Sequence, residues 1–106
     1  YTMLAARRVG PEGRVVAVEA SPREQPRVRE HVALNGLSNV DVVAAAAADR
    51  VGRSKLRIAA WPHSGQNTLG DFIYRGVKAE AVHEVEVTTV DEVVRSRGLT
   101  RVDLLK

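Results

Sequence analysis

The chain reads as short apolar segments whose spacing switches between the helical and the strand period. Met3-Leu4-Ala5-Ala6-Arg7-Arg8-Val9 has the form of the last turns of a helix, closed by Gly10 and Pro11. Val15-Val16-Ala17-Val18 is continuous rather than alternating, the pattern of a strand buried on both faces of a parallel sheet. Ser21-Pro22-Arg23-Glu24 follows as a capping box with proline at the first helical position. Pro26 would remove a hydrogen bond inside that helix, so Gln25-Pro26 offers a second start. Val28 and Val32 share a face with His31 and Asn35, and Asn35-Gly36 ends the element. Asn39-Val40-Asp41-Val42-Val43 predicts the next strand, running into five alanines at 44–48.

Beyond the turn Asp49-Arg50-Val51-Gly52 the period becomes two. Leu56 and Ile58 alternate with polar residues, as do Val85 and Val87, so two half-exposed strands are expected. Between them lies a loop rich in turn formers at 61–70, and Trp61 and Tyr74 are expected to cover the apolar face of this pair. Thr89-Val90-Asp91-Glu92 is a second capping box, opening a helix that runs to Arg97 and ends at Gly98. Val102-Asp103-Leu104-Leu105-Lys106 predicts a final strand. Buried strands alternating with helices imply an α/β fold with a doubly wound parallel sheet, and the two alternating strands form a small antiparallel insertion on its margin.

Length and composition narrow the classes. At 106 residues, 44% apolar and 27% charged, the chain fits one globular domain. No apolar run is long enough to span a bilayer, and the opening Tyr1-Thr2-Met3-Leu4 lacks the layout of a signal peptide. With no cysteine there is no disulfide framework and no thiolate chemistry, which suits a reducing cytoplasm, and with no long apolar run no membrane partner is expected. The net charge of +3 invites a nucleic-acid reading. The arginines are dispersed among acids, however, and at 4% the aromatics make no stacking platform, so a solvated surface is expected instead. His31, His63 and His83 are too scattered for a metal site, and Ser64 lies in no nucleophile-elbow sequence. The first helix lacks its opening turn and the last strand simply stops, so the 106 residues are read as a piece of a longer polypeptide.

Ligands of open α/β sheets bind beyond the carboxyl ends of the strands, and Glu19 stands at such an end. A carboxylate there can accept hydrogen bonds from the two hydroxyls of a ribose; the competing reading is a solvated acid or a partner for Arg23.

The same residues carry a family resemblance. Gly10-Pro11-Glu12-Gly13-Arg14-Val15-Val16-Ala17-Val18-Glu19-Ala20-Ser21-Pro22, then Leu34-Asn35-Gly36-Leu37-Ser38-Asn39-Val40, resembles the FkbM family of S-adenosylmethionine-dependent methyltransferases. Positions 44–49, Gly65-Gln66-Asn67-Thr68-Leu69, Val87-Thr88-Thr89-Val90-Asp91-Glu92 and the final five residues match in the same order. The resemblance implies a Rossmann-like methyltransferase sheet. It also implies that residues 1–106 are a partial domain, lacking the first strand with its glycine loop and everything after the fourth strand. In that frame Glu19 holds the cofactor ribose, Ala20 and Ser21 lie on the adenine side, and Ala46 and Ala47 form the adenine-side wall. Tyr1 and Thr2 would stand beside the methionine part. The implied reaction is O-methylation of a small-molecule, sugar or polyketide hydroxyl, with the catalytic base unassigned. An NAD-dependent oxidoreductase and a catalytically degenerate interaction module stay open as alternatives, as does a homo-oligomer.

Overall fold

The computed structural model describes residues 1–63 and 65–106, so Ser64 lies outside the described residues. Among them the chain forms α1 (Thr2–Val9), β1 (Val15–Val18), α2 (Gln25–Leu34), β2 (Val40–Val43), β3 (Ala46–Ala47), β4 (Gly52–Ala59), β5 (Ala79–Thr88) and α3 (Val90–Ser96).

β1 and β2 pair in parallel, Val15 opposite Val40 and Val18 opposite Val43, with α2 as the crossover. α1 packs on β1. The Asn39 side-chain amide donates to the Ala6 and Gly10 carbonyls, each at 2.9 Å. The carboxyl end of α1 is thereby fixed at the amino end of β2, and α1 starts at the other end of the sheet, where Glu19 lies. Of the two helix starts the sequence offered, the second is adopted. Ser21 opens a turn whose carbonyl accepts from the Glu24 and Gln25 N–H groups, both at 3.0 Å, and α2 begins at Gln25 with Pro26 in its first turn. Pro26 is tolerated there because no intrahelical bond is lost.

The remaining strands form a separate sheet in the order β3-β5-β4. β5 runs antiparallel to β4 and parallel to β3. Alternation is realised as expected: Leu56, Ile58, Val85 and Val87 are buried with Ala46 in one cluster, while Glu84, Glu86 and Lys55 face water. Ala20 and Leu69 pack against that cluster from outside the sheet. Half of the Thr89 capping box is realised: the Thr89 hydroxyl oxygen accepts from the Glu92 N–H at 3.0 Å, while the Glu92 carboxylate pairs with Arg95.

Four expectations are corrected. The fold is a small mixed α/β domain with two sheets among the described residues, not one sheet with a marginal insertion. The chain leaves the β1–β2 sheet at Ala44-Ala45, and the small side chains of Ala46 and Ala47 let β3 close onto β5. β1 is half-buried rather than buried on both faces, because β2 is its sole strand neighbour among the described residues. No strand forms at 102–106, where Leu104 is 82% exposed; a strand needs a neighbouring backbone to pair with, and this segment pairs with none among the described residues. Trp61 and Tyr74 do not cover the apolar face of β4 and β5. Both are exposed, and the face is closed instead by Ala20, Ala48, Leu69 and Ala81, whose smaller side chains suffice.

Candidate functional site

A cleft of about 480 Å³ opens at the carboxyl end of β1. It is built from two sides of the molecule. Glu19, Ala20 and Ser21 come from the β1–α2 turn, Glu24 and Val28 from the start of α2, and Leu56, Gly65 and Asn67 from β4 and the loop that follows it. Leu56, Ala20 and Val28 supply apolar surface, and Glu19, Ser21, Glu24 and Asn67 supply polar groups. That mixture is usual for a small-molecule site.

The turn holding Glu19 is fixed by several hydrogen bonds. The Glu19 N–H donates to the Val43 carbonyl at 3.0 Å, which extends the β1–β2 ladder by one residue. The Ser21 N–H donates to Glu19 Oε1 at 2.8 Å. The Gln25 amide donates to the Glu19 carbonyl at 3.0 Å and also reaches the Ala20 carbonyl. One carboxylate oxygen of Glu19 is therefore engaged, and the other has no hydrogen-bond partner among the described residues. The Ser21 hydroxyl is fully buried and has no hydrogen-bond partner among the described residues. An unpaired buried hydroxyl costs free energy, and a bound polar ligand would relieve that cost.

The second side is tied to the first. Arg23 donates to Glu24 at 2.8 Å and to Glu80 at the start of β5 at 3.2 Å, so one guanidinium spans the turn and the second sheet.

The structure brings together Glu19, Ala20 and Ser21 from the residues singled out in the sequence. Ala46 is buried in the core cluster of the second sheet, and Ala47 beside it is exposed. Thr2 opens α1, half-buried, and Tyr1 is exposed, with Lys106 Nζ 3.3 Å from its ring centroid. None of these four borders the cleft. Asn67, Glu24, Val28 and Leu56 do border it and were not singled out as site residues. The polar loop at 65–69 was visible as a motif, but only the pairing of β4 with β5 reveals what it faces.

A second depression, of about 440 Å³, lies at the amino ends of β1 and β2 beside Pro11, Arg14, Asn39 and Asp41. Its charged groups already pair with one another, Asp41 lying between Arg14 and Arg97. The carboxyl-end cleft, with unengaged polar groups, is the candidate site.

The cleft lies at the carboxyl end of a parallel βαβ unit, the place where ligands bind in open α/β sheets. All 106 residues match the family described as the methyltransferase FkbM domain, and the chain belongs to that family. No curated protein and no solved structure gives a significant match. No helix among the described residues is long and apolar enough to cross a membrane.

Proposed function

We propose that the protein is an S-adenosylmethionine-dependent methyltransferase acting on the hydroxyl of a small molecule such as a sugar or polyketide. The observation that carries this reading is the cleft at the end of β1, where Glu19 is held with one carboxylate oxygen unengaged beside the unpartnered Ser21 hydroxyl. These groups fit a nucleoside. Glu19 would accept from the ribose hydroxyls, and Ala20 and Ser21 would border the adenine. When bound, S-adenosylmethionine supplies a methyl group activated by its sulfonium.

The protein's own contribution is to bind and orient. The acceptor oxygen must approach the methyl carbon in line with the sulfur, so positioning provides much of the acceleration. The hydroxyl proton leaves to a base that these residues do not identify.

In the same proposal the β1–β2 pair is the margin of a Rossmann-like sheet. Its first strand, with a glycine loop, would precede Tyr1 and pair with the outer edge of β1. Two observations support this arrangement: that edge has no partner among the described residues, and α1 begins at the end of the sheet where the cleft lies.

Calorimetric titration with S-adenosylhomocysteine, comparing the protein with Glu19→Ala, tests the reading. Micromolar binding weakened about tenfold or more by the substitution is expected, equivalent to about 1.4 kcal/mol. A folded protein that does not bind would overturn it.

A further inference from the structure

The cleft has a far wall that the β1–α2 turn does not supply, and the polar side chain on it is Asn67. This wall is fixed before any ligand arrives. Arg57 and Thr68 exchange two backbone hydrogen bonds, at 2.8 and 3.1 Å, which fasten the loop to β4 immediately after Asn67. The side chain is oriented as well: Asn67 Oδ1 accepts from the Ala59 N–H at 3.0 Å. With the oxygen engaged in this way, the amide presents Nδ2 and its two N–H donors to a ligand. No described residue accepts from them.

The polar groups of the cleft are therefore complementary. Glu19 offers an acceptor, Ser21 a buried hydroxyl, and Asn67 a donor whose direction is set by the fold. A nucleoside has matching parts, because its ribose hydroxyls donate while most of its ring nitrogens only accept.

We propose that Asn67 is a specificity-determining residue of the nucleoside site, donating from Nδ2 to an acceptor atom on the base of a ligand whose ribose is held by Glu19. The proposal rests on the reading of this cleft as the cofactor site. It adds that the β4–β5 half of the molecule, and not only the β1–α2 turn, recognises the base.

The test uses the polypeptide extended before Tyr1, unsubstituted and as Asn67→Asp, Asn67→Ala and Glu19→Ala, each titrated with S-adenosylhomocysteine and with S-ribosylhomocysteine, which lacks the base. Asn67→Asp keeps an oxygen for the Ala59 N–H but replaces the donors with a second acceptor. It is expected to leave the melting temperature unchanged and to weaken S-adenosylhomocysteine about tenfold. Asn67→Ala is expected to lower the melting temperature, since the loop loses its tie to Ala59. For both variants S-ribosylhomocysteine should bind as it does to the unsubstituted protein. Glu19→Ala, acting on the ribose, should weaken both ligands. If both Asn67 variants weaken the two ligands by the same factor, or bind S-adenosylhomocysteine normally while Glu19→Ala does not, Asn67 only staples the loop and the proposal fails. If the unsubstituted protein binds neither ligand, the reading of the cleft fails, and this inference with it.

Discussion

The backbone N–H of Ser21 donates to the Glu19 carboxylate at 2.8 Å, so the acid at the end of β1 is oriented by the turn that follows it. This arrangement separates two roles of Glu19, as a strut for the turn and as a charged acceptor. In Glu19→Gln an amide oxygen still accepts from Ser21, but the charge is gone. Hydrogen bonds to an ionised acceptor are about twice as strong as neutral ones. Glu19→Gln is therefore expected to melt close to the unsubstituted protein while binding S-adenosylhomocysteine about tenfold more weakly. Paired thermal and calorimetric measurements check both halves. Normal affinity in Glu19→Gln would show that the charge plays no part in binding.

Gly13 sits where α1 turns into β1, and the space beside it is already filled. A Cβ at this position would come within 2.6 Å of both the Val9 carbonyl oxygen and Val9 Cγ2. The backbone oxygen cannot rotate away, so Gly13→Ala must push α1 off β1. A loss of about 2 kcal/mol is expected in denaturant unfolding. Gly65 gives the contrast, because a Cβ there meets nothing within 4 Å among the described residues. Gly65→Ala should leave stability within about 0.5 kcal/mol of the parent.

The parts of this molecule that were legible in the sequence are those decided by neighbours along the chain. Leu56 and Ile58, and Val85 and Val87, announce their strands by alternation and all four are buried. Thr89 with Glu92 announces the start of α3 because a cap needs only the next three residues. Glu19 and Ser21 could be placed at one site because a single turn joins them. Legibility ends where distant segments decide the outcome. The apolar positions of Val102, Leu104 and Leu105 read as a strand, yet a strand is completed by its partner. The alanines at 44–48 suit either helix or strand locally, and the register of Ala46 against Val87 settles them. Asn67 escaped notice as a site residue because its place depends on a loop folding back over Leu56.

Thr89 is a clean test of local stability. Its hydroxyl accepts from the Glu92 N–H at 3.0 Å and satisfies one of the free donors at the start of α3. Thr89→Ala should cost about 1 kcal/mol, and Thr89→Ser, which keeps the hydroxyl, close to nothing. Chemical denaturation of the two variants side by side checks this. Equal losses would point to the lost methyl group rather than the cap.

Asp41 joins three elements at the amino end of the first sheet. From β2 it pairs with Arg97, which follows α3, at 2.5 Å and with Arg14, which precedes β1, at 3.5 Å. Arg14 also donates to the Arg97 carbonyl at 2.8 Å. Asp41→Asn leaves two guanidinium groups facing each other without a charge between them. The groups are about a third to a half exposed, so the loss should stay near 1 kcal/mol at low salt. Screening should shrink it in 1 M salt, where the Debye length falls to about 3 Å. A loss that does not change with salt would mean that packing, rather than charge, is what the aspartate contributes.

The unpaired edge of β1 bears on the proposal that a further strand precedes Tyr1. Among the described residues the buried apolar set is thin: Ala6, Ala45, Ala46 and Ala59 accompany Leu56, Ile58, Val85, Val87 and Val93. The radius of gyration is 14.7 Å, larger than the roughly 13 Å of a compact chain of this length. Tyr1, Leu4, Leu104 and Leu105 are all exposed by more than two thirds. A small core, an open strand edge and exposed apolar side chains together favour self-association over stable folding. Residues 1–106 alone are therefore expected to melt without a cooperative transition and to associate as concentration rises. The polypeptide extended before Tyr1, in which the substitutions above are to be measured, should instead give a single sharp transition and sediment as one species. Calorimetry and sedimentation of the two chains decide the matter, and a cooperative, monomeric 106-residue chain would show that the β1 edge needs no partner.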